Sequence, residues 1–382
     1  MSSLRRSRAS LALSLLALSL ALGGCVTLPR AAFTEAEQAS AAPDGFSDIR
    51  YDQDSPALLA LLRRKLRPDA KGQMNALAIS GGGANGAYGA GLIYRWSEAG
   101  DKPTFQLVTG VSTGALTAPF AFLGKDWDSQ LRYAYSGPKV PHLLRSRGLL
   151  SLLTPGVYSK APLRELVEGY VTDALIQAVA AEHAKGRQLL VATTNLDTER
   201  LMIWDMGAIA AHGGPEARAL FAEVLIASAS VPGVFPPSMI AVTSGGKHFT
   251  EMHVDGQTQN AFFAIPGALL NPQTDAPAPP YKVNLYVVIN GHVDSLFAVT
   301  RREIMPILAR TFDVANKASI RSVLLNTAEY CRSHDCALKV SALPSGVKDD
   351  PLDFGVHHIH DLFAAGEAAQ TGGAAWSNAA PH

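Results

Sequence analysis

Apolar residues gather in four short runs, residues 77–79, 106–109, 188–194 and 283–289, each of strand length and none alternating cleanly with polar positions. A strand that is apolar on consecutive residues is buried on both faces, which is the pattern of a parallel sheet covered by helices. The first two runs are each followed by a glycine-rich turn and then by helical patterning, which after the second covers residues 115–123. The spacing therefore predicts an α/β fold: a three-layer α/β/α sandwich with a mostly parallel central sheet. Between Ile240 and Val254 two shorter pieces flank Thr243, Ser244, Gly245 and Gly246, which predicts a hairpin that ends on Asp255. Residues 265–281 are crowded with Pro, Ala, Asn and Asp and read as a surface loop beside that aspartate.

The flanks differ from this centre. Residues 26–73 are rich in Ala, Asp, Ser and Pro, broken by a Leu and Arg cluster at 58–66 that predicts one short helix. After Ala365 the pattern predicts a last helix and a frayed tail. The organisation expected is a leader at 1–25, a tether and entry helix at 26–73, one folded domain at 74–370 and a flexible tail at 371–382. At 47% hydrophobic and 17% charged, the chain can bury a sizeable core.

The leader has its own grammar. Arg5, Arg6 and Arg8 precede an apolar stretch at 11–22, which is the charge and hydropathy order of a secretory signal and too short to span a bilayer comfortably. Leu22, Gly23, Gly24 and Cys25 resemble a bacterial lipobox, whose cysteine is lipidated and becomes the first residue of the mature chain. Val26 in place of an aspartate points, by the same resemblance, to the outer membrane of the cell envelope. Cleavage removes three of the 33 basic residues and no acid, leaving 30 against 33, so no basic excess calls for nucleic acid. Cys331 and Cys336, with four residues between them, can form a local disulfide in an oxidising compartment or remain two thiols. No further Cys or His pair at matching spacing suggests a metal.

Two segments carry chemistry. Gly110, Val111, Ser112, Thr113 and Gly114 lie where a strand gives way to a helix, and a sharp turn there projects a serine hydroxyl beyond the sheet edge as a nucleophile. The helix that follows directs its positive end at a developing oxyanion. Some thirty residues earlier, Gly81, Gly82, Gly83, Ala84, Asn85 and Gly86 offer a row of backbone N–H donors. They fit an oxyanion hole built from Gly81, Gly82 and Gly83. They also fit a dinucleotide fingerprint through Gly81, Gly83 and Gly86, with Glu98 as the ribose acid. The nearby serine turn decides for acyl transfer, because a nucleotide site gains nothing from it.

Together with residues 227–237, reading Ala-Ser-Ala-Ser-Val-Pro-Gly-Val-Phe-Pro-Pro, and with Asp255-Gly256, these segments resemble the patatin-like phospholipase family in four ordered motifs. Thr194 to Thr198 resemble the family's strand after the nucleophile helix. The resemblance implies a patatin-like fold and a Ser112–Asp255 catalytic dyad without metal or cofactor. It also implies hydrolysis of membrane lipid acyl esters through an acyl-enzyme, with Gly86, Gly110, Gly114 and Gly256 supporting the motifs. Two positions depart from the family pattern: Asn85 stands where Arg or Lys is frequent, which removes a charge near the oxyanion loop that would favour phosphate, and Gln257 where Gly or Ala is common, a change that the position either tolerates or answers with a narrower site.

A Ser–His–Asp esterase of small soluble esters is the alternative, with His248, His253, His357, His358 or His360 as base. A lipid-binding envelope lipoprotein that keeps the fold without catalysis is another. Asp197 reads as the cap of a turn before Thr198.

Overall fold

The computed structural model describes residues 30–137, 139–145, 156–270, 281–334, 336–372 and 375–378. Nine strands form one sheet: β1 (Arg50–Asp52), β2 (Gln73–Ile79), β3 (Leu107–Val111), β4 (Gln188–Asn195), β5 (Arg200–Asp205), β6 (Ser238–Ser244), β7 (Lys247–Asp255), β8 (Lys282–Ile289) and β9 (Cys336–Ala342). Their order is β1-β5-β4-β3-β2-β8-β9, and the β6–β7 hairpin joins through β7 to β4. The central neighbours β4-β3-β2-β8-β9 are parallel, while β1, β5, β6 and β7 pair antiparallel.

Strand residues alternate between two cores, as a period of two requires. Leu77, Ile79, Val108, Leu189, Val191 and Val288 face one core. Ala76, Ala78, Leu107, Leu190, Ala192 and Val287 face the other. Helices Gly86–Ala99, Thr113–Leu123, Gly214–Ser228 and Val356–Thr371 cover the first face, and Pro56–Lys65 and Ile304–Ser333 the second. The result is the three-layer α/β/α sandwich that the apolar runs predict.

Several flanking expectations change. Within residues 30–73 the chain is folded onto the domain: Phe33 stacks on Phe249 at 4.4 Å between ring centres. Arg50, on β1, forms an ion pair with fully buried Glu251 and also bonds the Ala41 carbonyl at 2.6 Å. Burial alone would raise the Glu251 carboxyl, yet His253 and Arg50 hold it down to about 2. The last helix begins at Val356, well before Ala365. Part of the expected tail is docked, because Ser377 bridges to Val340 on β9 and Trp376 packs between Trp96 and Tyr286. A tryptophan that finds an aromatic pocket outweighs the fraying that Gly and Ala favour. The 265–281 stretch contains a short helix, Gly267–Leu270, and residues 271–280 lie outside the described ones. Cys331 and Cys336 are joined as a disulfide.

Candidate active site

β3 ends at Val111, and helix Thr113–Leu123 begins two residues later. The junction is Ser112, with φ 55° and ψ −126°, a left-handed backbone that a residue with a Cβ rarely adopts. Such a conformation costs about 1–3 kcal/mol and persists only where neighbours over-determine it. Here the Ser112 N–H donates to Ser228 Oγ at 2.9 Å, and the Ser228 hydroxyl donates in turn to the Ala192 carbonyl at 2.7 Å. Gly114 lets the helix start against β2, since a Cβ there would stand 2.3 Å from the Ile79 carbonyl oxygen. Gly110 faces Gly114 and Ala115 across the same turn.

Asp255 arrives along the same edge of β4 that β3 pairs with, just beyond the end of β3. It is the last residue of β7 and pairs with Thr193 of β4, the strand beside β3. Its backbone is pinned at both ends: its N–H donates to the Ser230 carbonyl at 3.0 Å, and its own carbonyl accepts Thr194 Oγ1 at 3.0 Å. The Ser112 hydroxyl donates to Asp255 Oδ2 at 2.5 Å, and the Gln257 N–H donates to Oδ1 at 2.8 Å. The carboxyl is fully buried, and among the described residues no cation pairs with it. Burial pushes it up to about 7, against the opposing pull of the Ser112 hydroxyl and the Gln257 amide. A carboxylate poised near neutrality can take a proton from the serine it already touches.

The glycine loop lies against this pair. A Cβ on Gly81 would stand 2.8 Å from Ser112 Cβ and 2.1 Å from Gln257 Oε1. Of the three expected oxyanion donors, Gly81 is a correction: its N–H is committed to the Ala261 carbonyl at 3.1 Å. Among the described residues, the Gly82 and Gly83 N–H groups have no protein acceptor. They open the short turn Gly83–Asn85, whose first amides are unpaired as in any helix start. Gly86 abuts Thr113 and Gly256 abuts Ala192. Gly81→Ala should lower kcat/KM about 10²-fold by displacing Ser112 or Gln257. Unchanged turnover would mean that Gln257 swings aside without cost.

Sequence reasoning noted Gln257 but missed the residues that hold it over the site. Gln257 is buried and its amide donates to Asn316 on helix Ile304–Ser333. Asn85 donates to Asp349 at 2.6 Å, and Asp349 lies 3.1 Å from Lys317 on the same helix, so a lysine reaches this loop through an aspartate. Ser228 had a signal in the sequence, its place in the 227–237 motif. Asn316, Lys317 and Asp349 had none, being remote in the chain. Ser112 is 2% exposed and Asp255 fully covered, so a substrate requires some of this cover to move.

Among the described residues, none of the five weighed histidines hydrogen-bonds to Ser112 or Asp255. His253 is buried between Thr193 and Glu251, His248 meets Thr243 and Asp44, and the other three sit on helix Val356–Thr371. It is Asn195 that bonds the turn, accepting the Asp197 N–H at 2.9 Å, while the Asp197 carboxylate accepts the Met252 N–H at 2.9 Å and the Arg30 guanidinium at 2.7 and 2.6 Å. Cys25 lies outside the described residues. Among the described residues no cluster of three His, Cys, Asp or Glu could hold a metal ion, and no helix is long and apolar enough to cross a membrane.

Residues 77–265 match the family model described as patatin-like phospholipase. No curated protein matches the chain. A solved structure, VipD from Legionella pneumophila, is similar at 13% identity with a TM-score of 0.36, covering 79% of this chain and 70% of that one.

Proposed function

Because this chain belongs to the patatin-like phospholipase family through residues 77–265, we propose that it hydrolyses lipid acyl esters with a Ser112–Asp255 dyad. The observation that carries the proposal is the 2.5 Å hydrogen bond from a strained, buried serine to a buried carboxyl near neutrality. Ser112 Oγ attacks the ester carbonyl carbon as its proton passes to Asp255. The N–H groups of Gly82 and Gly83 receive the oxyanion, and the helix that starts at Thr113 adds its positive end. Collapse of the tetrahedral species breaks the bond to the alcohol, which leaves with the proton held by Asp255. Water then gives a proton to Asp255 and attacks the acyl-Ser112 carbonyl. Release of the fatty acid returns that proton to Ser112.

A triad has less support, since the histidines weighed for it are engaged elsewhere. A purely lipid-binding role leaves the strain at Ser112 without a purpose. Vesicles of phosphatidylethanolamine and phosphatidylglycerol, incubated with purified protein and assayed for released fatty acid, test the proposal. Folded protein that neither releases fatty acid nor reacts with a fluorophosphonate would favour the binding protein.

The enzyme is proposed to work from the cell envelope, at the outer membrane, anchored by lipid on Cys25. The supports are the Arg-rich start, the apolar stretch at 11–22 and the Leu-Gly-Gly-Cys sequence. Cys25→Ser should abolish labelling of the protein by radioactive palmitate in cells and release it from the membrane fraction. Labelling that persists would sink the anchor.

A further inference from the structure

A cavity of about 710 Å³ lies at the opposite end of the parallel strands from Ser112. Its walls are the first residues of the strands, among them Met74, Ala76, Leu107 and Leu285, closed by Leu62 and Leu66 at the end of helix Pro56–Lys65. β3 runs from Leu107 in this wall to Val111 beside the nucleophile, about 13 Å at 3.3 Å per residue. The two sites are therefore separate. The volume is within the roughly 300–1,000 Å³ of ordinary small-molecule sites.

Its charge is one-sided. Arg63 and Arg67 stand four residues apart on the rim, exposed, with Tyr281, Tyr330 and His334 around the same opening. Among the described residues, no Asp or Glu lines the cavity. Arg67 bonds only the backbone carbonyls of Leu66 and Arg63, at 2.8 and 3.3 Å, and neither arginine has a carboxylate partner among the described residues. An apolar slot with two unneutralised guanidinium groups at its mouth complements one apolar chain ending in one anion, and guanidinium forks hold carboxylates bidentately.

We infer that this cavity binds a long-chain fatty acid, its tail among the strand starts and its carboxylate between Arg63 and Arg67. Binding needs no turnover, so the inference does not depend on hydrolysis at Ser112, although the proposed reaction would release such a ligand. The test is displacement of a fluorescent fatty acid by palmitate from the chain of residues 26–382, in wild type, Ser112→Ala and Arg63→Glu/Arg67→Glu. Wild type and Ser112→Ala should bind palmitate equally. The double variant, whose changes are on the surface and whose thermal unfolding should match wild type, should bind about tenfold or more weakly. Hexadecanol should compete poorly with wild type. Equal affinity in the double variant would overturn the inference, as would loss of binding after Ser112 is blocked by a fluorophosphonate. Tighter binding of lysophosphatidate than palmitate would overturn the carboxylate assignment.

Discussion

Ser112→Ala is expected to lower kcat/KM for acyl ester hydrolysis about 10³-fold or more while leaving the protein folded. A residue that forms the covalent intermediate cannot be replaced by its neighbours, and losses of this size accompany removal of a serine nucleophile elsewhere. The fold should tolerate the change. Alanine keeps the Cβ, so the left-handed backbone at φ 55° is no worse than before, and the Ser112 N–H still has Ser228 Oγ as acceptor. The loss is one buried hydrogen bond to Asp255, about 1–2 kcal/mol. Without that donor the Asp255 carboxyl should rise further, because the Ser112 hydroxyl is among the groups that pull it down. Circular dichroism and a melting curve check the fold; fatty acid release and fluorophosphonate labelling check the chemistry. Wild-type turnover in Ser112→Ala would remove this serine from the reaction altogether.

Asp255→Asn should separate activity from stability. With the base gone, kcat should fall about 10²- to 10⁴-fold. In wild type, kcat/KM should climb with pH and level off above an inflection near 7, where Asp255 becomes able to accept the serine proton. Stability should move the other way. The folded carboxyl sits near 7 and the unfolded one near 3.8, so the folded state holds its proton more tightly. The contribution of this group is fully present below about pH 4, is lost as pH rises to 7, and is flat above. Asparagine does not titrate. The variant should therefore gain on wild type between pH 4 and 7, reaching on the order of 4 kcal/mol at pH 8, the free energy that separates a carboxyl titrating at 3.8 from one titrating at about 7. Urea unfolding at pH 5 and pH 8 measures the gain. A difference that is the same at both values would mean that Asp255 does not titrate in this range.

The two effects share a cause. A buried carboxylate with no cation beside it is a poor structural residue and a serviceable base, and proteins keep such groups at functional sites. Glu251, four residues earlier on the same strand, is buried just as fully, yet Arg50 and His253 hold its carboxyl down to about 2. Partner groups, rather than burial, distinguish a fixed charge from a titrating one.

The central fold and the two turns that carry Ser112 and Asp255 are local or periodic properties, and these the sequence by itself determined, whereas the pairing of those two residues across 143 positions was implied only by the family resemblance. Consecutive apolar residues specify strands buried on both faces; the runs at 77–79, 188–194 and 283–289 fall within β2, β4 and β8, and the run at 106–109 overlaps β3 from Leu107 on. The Gly110–Gly114 turn and the hairpin ending on Asp255 are likewise set by residues a few positions apart. β1, β5 and β9 were not legible, because Arg50–Asp52, Arg200–Asp205 and Cys336–Ala342 mix charged and apolar residues and become strands only by pairing with neighbours already in place. Helix Ile304–Ser333 carries a weak apolar stripe and is held by packing on the sheet.

Only the tertiary structure decided which amides remain for an oxyanion. Gly81, Gly82 and Gly83 are indistinguishable as letters, and it is the approach of Ala261, far along the chain, that occupies the first of them. The closure of the site by Gln257 and Asn316, and the cavity beneath Arg63 and Arg67 that no acid lines among the described residues, belong to the same class. Each depends on side chains remote in sequence meeting at one point, and neither periodicity nor motif spacing encodes such a meeting.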